Sequence, residues 1–229
     1  RISPLDWQQS KTYDKFVRVG ERVLRRTSRN YAPWYVVEGV DEHYRSLTVG
    51  RILLEGLQAA LQRKELPHSQ PHAAPLISSL DNLGLLDSLD MTQRLDKDEY
   101  QEQLATEQAR LAGLMRDKRF RKHALIAVFE GNDAAGKGGA IRRVAAALDP
   151  RQYRIVPIAA PTEEELAQPY LWRFWRHIPP RGKFTVFDRS WYGRVLVERV
   201  EGYCSPADWL RAYSEINDFE EQLTRAGVV

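Results

Sequence analysis

Hydrophobic and polar positions follow two patterns along this chain, and each predicts one kind of element. Apolar residues that recur every three or four positions predict helices at residues 5–26, 41–64, 97–118, 140–148, 163–177 and 206–225. Short apolar runs predict strands at residues 32–37, 124–129, 153–158 and 183–187. Pro157 favours an edge position for its strand, because proline cannot donate to a sheet ladder. The alternation of strands with helices predicts an α/β fold on a parallel sheet.

A proline-rich stretch interrupts these patterns between the second and third predicted helices. Residues 66–79 contain three prolines among histidine, serine and alanine, a composition typical of a linker. His68 and His72 are four residues apart, but proline-interrupted chain does not place them on one helix face, so we interpret them as linker residues and not as metal ligands. The predicted organisation is a first part at 1–66, a linker at 67–79 and a second part at 80–229.

Composition and charge leave the function class open. The 229 residues are 43% hydrophobic and 28% charged, with a formal net charge of +3, and nucleic-acid binding does not follow from so small a charge. No apolar run approaches the roughly 20 residues that span a bilayer, and the first residues have no signal-peptide layout. The single cysteine, Cys204, excludes an internal disulfide and fits a reducing compartment. We therefore expect a cytoplasmic protein that binds neither membrane nor nucleic acid.

A glycine-rich loop lies between the strand at 124–129 and the helix at 140–148. Its residues are Gly131, Asn132, Asp133, Ala134, Ala135, Gly136, Lys137 and Gly138. Strand, Gly-x4-Gly-Lys and helix form the layout of a Walker A P-loop, in which backbone N–H groups and a helix N-terminus bind phosphate. Lys137 is the expected neutralising cation for phosphoryl oxygens. The alternative is a glycine-rich turn with no chemical role.

Two carboxylates are candidates for holding a magnesium ion. Gly138 stands where a P-loop ordinarily has the Ser or Thr that ligates Mg²⁺. Asp133, inside the loop, is the expected replacement, because Mg²⁺ prefers oxygen ligands. Asp188 ends the strand at 183–187 in the place of a Walker B carboxylate, although it could also cap the segment that follows.

Three arginines follow that second carboxylate. Arg189, Arg194 and Arg199 are five residues apart, which does not give one helical stripe, but a mobile flap could turn them inward. Nucleotide kinases clamp phosphate chains with such guanidinium groups. We interpret Trp191 and Tyr192, between them, as core residues in preference to a base-stacking pair.

The two motifs together resemble those of the polyphosphate kinase 2 family. The resemblance rests on residues 131–141 and on Phe187-Asp188-Arg189-Ser190-Trp191-Tyr192-Gly193-Arg194-Val195, and it extends over roughly residues 80–229. It implies a P-loop kinase-like three-layer fold with a helical lid, and phosphoryl transfer between inorganic polyphosphate and a nucleotide with Mg²⁺. It also implies site roles for Asp133, Lys137, Asp188, Arg189, Arg194 and Arg199.

Residues 1–66 resemble the opposite end of the same family's domain. Residues 27–37 and 41–61 are similar to its closing strand and final helix, so the chain looks like the end of one copy followed by the start of a second. Where the family usually has a lysine-arginine pair, this chain has Glu42-His43-Tyr44-Arg45. Only about three strands follow residue 80, and 228–229 resemble the start of another, so we expect the chain to be a fragment.

Tandem copies are similar to the subclass that transfers phosphate from polyphosphate to AMP, giving ADP. Inorganic polyphosphate and AMP, or another nucleotide, are therefore the expected partners, together with a homo-oligomer or an intramolecular pairing of the tandem domains. The alternatives are an ATP-dependent nucleoside monophosphate kinase, which shares loop and lid, and a non-catalytic polyanion-binding module.

Overall fold

A computed structural model describes residues 12–62, 86 and 88–229. Its α-helices are α1 (Tyr13–Thr27), α2 (Glu42–Gln62), α3 (Lys97–Arg116), α4 (Lys137–Ala146), α5 (Glu163–Leu166), α6 (Trp172–Trp175), α7 (Val197–Glu201) and α8 (Pro206–Arg225). Its strands are β1 (Leu125–Phe129), β2 (Tyr153–Pro157) and β3 (Phe184–Asp188), and 3-10 turns lie at Lys118–Lys122 and Trp191–Arg194. Helix α8 has the predicted bounds. No helix in the described part of the chain is both long enough and apolar enough to cross a membrane.

The three strands form one parallel sheet in the order β1-β3-β2. Phe129 and Pro157 are both opposite Asp188, so the three strands end at the same edge. The strand that contains Pro157 lies at an edge of this sheet, as predicted. Ala124, directly before β1, forms a parallel bridge with Val228. This confirms the predicted start of a further strand pairing at residues 228–229.

The central strand is buried on both faces, as a parallel strand covered by helices must be. Its first four residues, Phe184 to Phe187, are all buried, and only Asp188 at its end is partly exposed. Periodicity therefore carries little information in β3. Its apolar run and its length indicate the strand instead.

The described residues form two compact units, each assembled from separate parts of the sequence. One contains residues 35–62, 90–190 and 223–229. Its core combines α2, α3, α4, β1 and β3, with buried side chains Leu54, Leu57, Leu61, Leu111, Met115, Phe120, Leu125, Ala127, Ile141, Val144, Leu148, Phe184 and Val186. Helix α2 precedes the predicted linker, yet it packs against α3 and α4.

The other unit contains residues 12–34, 86, 88–89 and 191–222 among those described. Trp191 and Tyr192 are 2% and 4% exposed, which confirms their interpretation as core residues. The Trp191 ring packs against Phe219 at 5.0 Å, and the Tyr192 ring packs against Trp34 at 4.5 Å. Indole Nε1 of Trp191 and the Tyr192 hydroxyl both donate to the Glu220 carboxylate, which is buried between them.

The predicted strand at residues 32–37 is wrong. This segment belongs to no strand. Its start is a turn in which Arg29 and Ala32 exchange backbone hydrogen bonds, and the Trp34 N–H donates to the Ser28 hydroxyl over 3.2 Å. A strand needs a neighbouring ladder as well as apolar residues, and this segment pairs instead with local groups.

The predicted helix at residues 163–177 is also wrong as a single element. It divides into α5, which begins with a capping box between Thr162 and Glu165, and α6. Pro169 lies between the two. The helix breaks there because proline has no N–H to donate and its ring clashes with the preceding turn.

Some predictions fall on residues that the structure does not describe. The start of the helix at 5–26, the linker at 67–79 with His68 and His72, and the last two residues of the helix at 41–64 lie outside the described residues. The division into 1–66, 67–79 and 80–229 stays a prediction.

Candidate functional site

The glycine-rich loop joins the end of β1 to the start of α4, as the sequence predicts. Lys137 is the first helical residue and Gly136 is its N-cap. The carbonyl oxygen of Gly136 accepts the N–H groups of Gly139 and Ala140, at 3.1 and 3.2 Å. The N–H groups of Lys137 and Gly138, at the first two helical positions, have no carbonyl ahead of them within the helix. They are the donors that a bound phosphoryl group would use.

Positive φ angles give the loop its curl. Gly131 has φ of 148° and Gly136 has φ of 84°, values that side chains other than glycine rarely adopt. Ala134 also has a positive φ, 63°, although it carries a Cβ. A strained backbone of this kind persists only when its surroundings enforce it, and such positions cluster at functional sites.

The Lys137 side chain folds back over the start of the loop. Its ammonium group donates to the carbonyl oxygens of Gly131 and Asn132, at 2.8 and 2.9 Å. These contacts hold the positive charge at the loop. Gly131 and Asn132 therefore serve as anchors for the lysine.

Asp188 and Arg189 reach the same edge of the sheet from β3. The Arg189 N–H donates to the carbonyl oxygen of Phe129 over 3.0 Å, and Arg189 has a positive φ of 65°. Its guanidinium pairs with the Asp133 carboxylate at 2.6 Å. Both side chains are about half exposed, 46% and 53%, and such surface pairs contribute only about 0–1 kcal/mol. Asp133 and Arg189 could therefore separate, at a small cost in free energy, and each could bind a ligand instead.

An open cleft of about 340 Å³ brings the predicted site residues together. Its lining consists of Asp133, Ala134, Ala135, Gly136, Lys137, Gly138, Asp188 and Arg189. Loop N–H groups, one ammonium, one guanidinium and two carboxylates thus share one cavity. This combination suits a phosphate ester that arrives with a divalent cation.

Arg194 and Arg199 belong to the other compact unit. Arg194 pairs with Glu198, one turn along the chain, at 2.7 Å. The Arg199 guanidinium lies 3.8 Å from the centre of the Trp209 ring and donates to the Tyr213 hydroxyl over 2.9 Å. Their participation in the site stays a prediction.

Sequence reasoning missed one polar pair beside the loop. Glu130, directly after β1, accepts a 2.8 Å hydrogen bond from the buried hydroxyl of Ser190, two residues after β3. Burial raises the pKa of the Glu130 carboxyl to about 7, against the opposing effect of the Ser190 bond. The pair joins the ends of β1 and β3. No local signal connects two residues sixty positions apart, so only the strand register reveals it.

The two carboxylates fit a magnesium ion whose remaining ligands are water molecules and substrate oxygens. Asp133 and Asp188 supply carboxylate oxygens to one cleft. The described residues contain no cluster of three or more His, Cys, Asp or Glu side chains suited to a metal. Mg²⁺ commonly takes one or two carboxylates and completes its octahedron with waters and phosphates. Two carboxylates beside a phosphate loop therefore suit Mg²⁺ better than a metal that needs an all-protein cage.

Curated relatives of this chain are named as polyphosphate phosphotransferases. A polyphosphate:AMP phosphotransferase of Pseudomonas aeruginosa is 80% identical over all 229 residues, which is 46% of that protein's length. A GDP-polyphosphate phosphotransferase of Mycolicibacterium smegmatis is 40% identical over 136 residues, covering 59% of this chain and 48% of that protein. The chain spans about half the length of these curated relatives.

A solved structure matches the whole chain, and a family model matches most of it. A crystal structure described as a polyphosphate kinase 2 from Pseudomonas aeruginosa matches 100% of this chain and 46% of its own, with a TM-score of 0.63 and 72% identity. The family model described as polyphosphate kinase 2 matches residues 1–65 and 94–229, which include the P-loop and the Asp188 motif. This chain belongs to the polyphosphate kinase 2 family.

Proposed function

We propose that the protein containing this chain transfers the terminal phosphoryl group of inorganic polyphosphate to AMP, giving ADP. The observation that carries the proposal is the shared cleft of Asp133, Lys137, Asp188 and Arg189 at the P-loop. The relative that is 80% identical along the whole chain, and whose name specifies polyphosphate and AMP, supports this donor and acceptor.

The transfer forms one bond and breaks one. An oxygen of the AMP phosphate forms a bond to the terminal phosphorus of polyphosphate, and the bond from that phosphorus to its bridging oxygen breaks. The shortened polyphosphate keeps the electron pair. Because charge spreads over the transferred oxygens, the protein contributes mainly position and positive charge.

Each cleft residue has a part in that scheme. The N–H groups of Lys137 and Gly138 bind the transferred phosphoryl group, and the Lys137 ammonium neutralises its oxygens. The Arg189 guanidinium, once released from Asp133, binds a neighbouring phosphate of the chain. Asp133 and Asp188 would hold Mg²⁺, which supplies positive charge to the phosphate oxygens.

Wider properties follow from the same proposal. Arg194 and Arg199 would bind further phosphates of the polyphosphate, because a long anionic chain needs several cations along its path. The partners are small anions, so the proposal requires neither nucleic acid nor membrane. A cytoplasmic location, and pairing either between chains or between tandem domains, belong to the proposal as well.

The direct test is an assay of the full-length protein with AMP, Mg²⁺ and polyphosphate, without ATP. ADP should form, and Lys137→Ala should lower kcat by about 100-fold or more, since it removes a charge that acts on the transferred group. Arg151→Ala is the matched control, because the Arg151 side chain is exposed and pairs with nearby Asp149, away from the cleft. Turnover with ATP alone would instead indicate a nucleoside monophosphate kinase. Tight polyphosphate binding without any turnover would indicate a polyanion-binding module.

Magnesium dependence tests the two carboxylates. Asp133→Asn and Asp188→Asn should each raise the Mg²⁺ concentration that gives half-maximal rate by about tenfold, because a neutral amide is a weaker ligand than a carboxylate. The control is Asp149→Asn, an exposed carboxylate outside the cleft. An unchanged magnesium requirement in both cleft variants would show that neither carboxylate holds the metal.

A further inference from the structure

Residues just before and at the start of α2 lie against the P-loop. A Cβ on Gly39 would meet the carbonyl oxygen of Ala135 at 3.4 Å, so the two backbones approach closely. Glu42, the first residue of α2, forms an ion pair with Arg143 of α4. The N-terminal part of the chain therefore contacts the loop and its helix at separate points.

Arg45 makes the closest of these approaches. A Cβ on Gly136 would overlap Cζ, Nη2 and Nε of Arg45. Since three atoms of the guanidinium are almost equally near, its face covers the loop glycine. Nη1 donates to the carbonyl oxygen of Gly39, which holds the guanidinium in this orientation. Nε is buried and has no hydrogen-bond partner among the described residues.

The charge of Arg45 makes its position informative. Gly136 is the N-cap of α4, and the positive end of a helix dipole repels a cation. Arg45 is also not among the residues that line the cleft. Arg45 thus carries an unfavourable charge, contacts a loop glycine and does not line the cleft. These properties fit a residue that affects the site through the conformation of the loop.

We propose that Arg45 is a positioning residue of the P-loop. Its guanidinium holds Gly136 in the left-handed conformation from which α4 begins, and so keeps the N–H groups of Lys137 and Gly138 in place before phosphate binds. Arg45 precedes the predicted linker at 67–79. A segment that resembles the end of one domain copy thus completes the phosphate loop of the next copy.

Hydrogen exchange of the unliganded full-length protein tests this role without any turnover. Arg45→Met keeps the length of the side chain but removes the guanidinium, and the amides of Gly139 and Ala140, which donate to Gly136, should exchange about tenfold faster. Arg51→Met is the matched control on the same helix, because Arg51 contacts Gln103 and Glu107 and not the loop. It should leave exchange in the loop as in the unmodified protein.

Kinetics add a second readout, which rests on the proposed function. Arg45→Met should raise KM for polyphosphate about tenfold, roughly the cost of ordering one backbone residue on binding, and change kcat less than about threefold. Arg45→Lys should not restore loop protection, since a compact ammonium cannot cover Gly136 as a planar group does. It also tests the role if Arg45→Met fails to fold.

Two results would overturn the positioning role. One is unchanged loop exchange in Arg45→Met, and if KM rose at the same time, Arg45 would be a direct polyphosphate ligand. The other is full recovery of loop protection in Arg45→Lys. A wild-type protein that is inactive with polyphosphate would refute the proposed function alone, because the exchange measurement does not depend on the donor.

Discussion

Gly136 is restrained twice, by its own backbone and by a neighbouring side chain. Its φ of 84° is left-handed, and the Arg45 guanidinium occupies the space that a Cβ would need. Gly138, two residues later, lies in helical conformation, and no atom of the described residues lies within 4 Å of a Cβ there. The two loop glycines therefore have different physical reasons to be present.

Alanine substitutions separate those reasons. Gly136→Ala should lower the free energy of unfolding by about 1–3 kcal/mol, because it adds a strained φ and displaces Arg45. Gly138→Ala should leave that free energy unchanged or raise it by up to about 1 kcal/mol, since alanine is the better helix former. Urea unfolding of both variants measures the difference. Equal destabilisation by the two substitutions would contradict this account.

Local sequence motifs identify some residues of the site, and tertiary contacts identify the others. Asp133, Lys137 and Asp188 follow from the P-loop spacing and from the strand that ends at residue 188, and the structure places all three in one cleft. Arg45 and the Glu130–Ser190 pair do not follow, because their partners are distant in sequence.

Helix α8 shows how one buried carboxylate can join two elements. Glu220 is 6% exposed, and it accepts hydrogen bonds from Trp191 and Tyr192 in the 3-10 turn after β3. Burial raises the pKa of Glu220 to about 7, and the bonds from Tyr192 and Trp191 only partly oppose the effect. The attachment of α8 to this turn should therefore depend on pH.

Whether stability rises or falls with pH depends on which state, folded or unfolded, holds the proton. Between pH 4.5, the ordinary pKa of the group, and about 7, the folded protein keeps a proton on Glu220 that the unfolded chain has released. Stability should therefore fall as the pH rises through this range, by up to about 1.4 kcal/mol per pH unit from this group. Glu130, whose pKa is raised to about 7 by burial, adds a loss of the same sign.

Glu220→Gln isolates the contribution of α8. The amide oxygen can still accept both hydrogen bonds but cannot ionise, so unfolding free energies measured at pH 5 and pH 8 should differ less than in the unmodified protein. Glu215→Gln, on the same helix and paired with exposed Arg211, is the surface control. Identical pH profiles for Glu220→Gln and the unmodified protein would refute the prediction.

The two wrong predictions of elements have physical causes at this same scale. The apolar run at 32–37 lacks a neighbouring strand, and its start bonds to itself and to Ser28. The helix predicted at 163–177 ignored Pro169, which cannot donate within a helix. Periodicity describes the apolar face of a segment. It does not show whether a strand has a neighbouring strand to pair with, or whether every helical residue has a backbone N–H to donate.

At the scale of the whole molecule, α2 shares a core with the P-loop sheet. Leu57 of α2 is fully buried in the cluster that includes Leu125 of β1, Val144 of α4 and Phe184 of β3. Residues that precede the predicted linker therefore contribute directly to the core under the phosphate loop.

Truncation of this side chain tests the shared core. Leu57→Ala should lower the free energy of unfolding by about 2–5 kcal/mol, the usual cost of a large cavity in a packed core. It should also increase hydrogen exchange in β1 and α4, because they share the cluster. Leu210→Ala, which truncates a leucine that is 52% exposed, is the control and should change stability by less than about 0.5 kcal/mol. A small effect of Leu57→Ala would mean that α2 does not stabilise the P-loop unit.

The sequence by itself determined the parallel α/β class, the loop with Lys137 and the two carboxylates, because these depend on local spacing and on runs of similar residues. The family followed from the resemblance of two motifs to known ones. Tertiary structure alone decided that Arg45 presses on Gly136, that Glu130 meets Ser190, and that α2 belongs to the P-loop unit. Contacts between distant segments depend on how helices and strands pack, and burial and register are set only when the whole core forms.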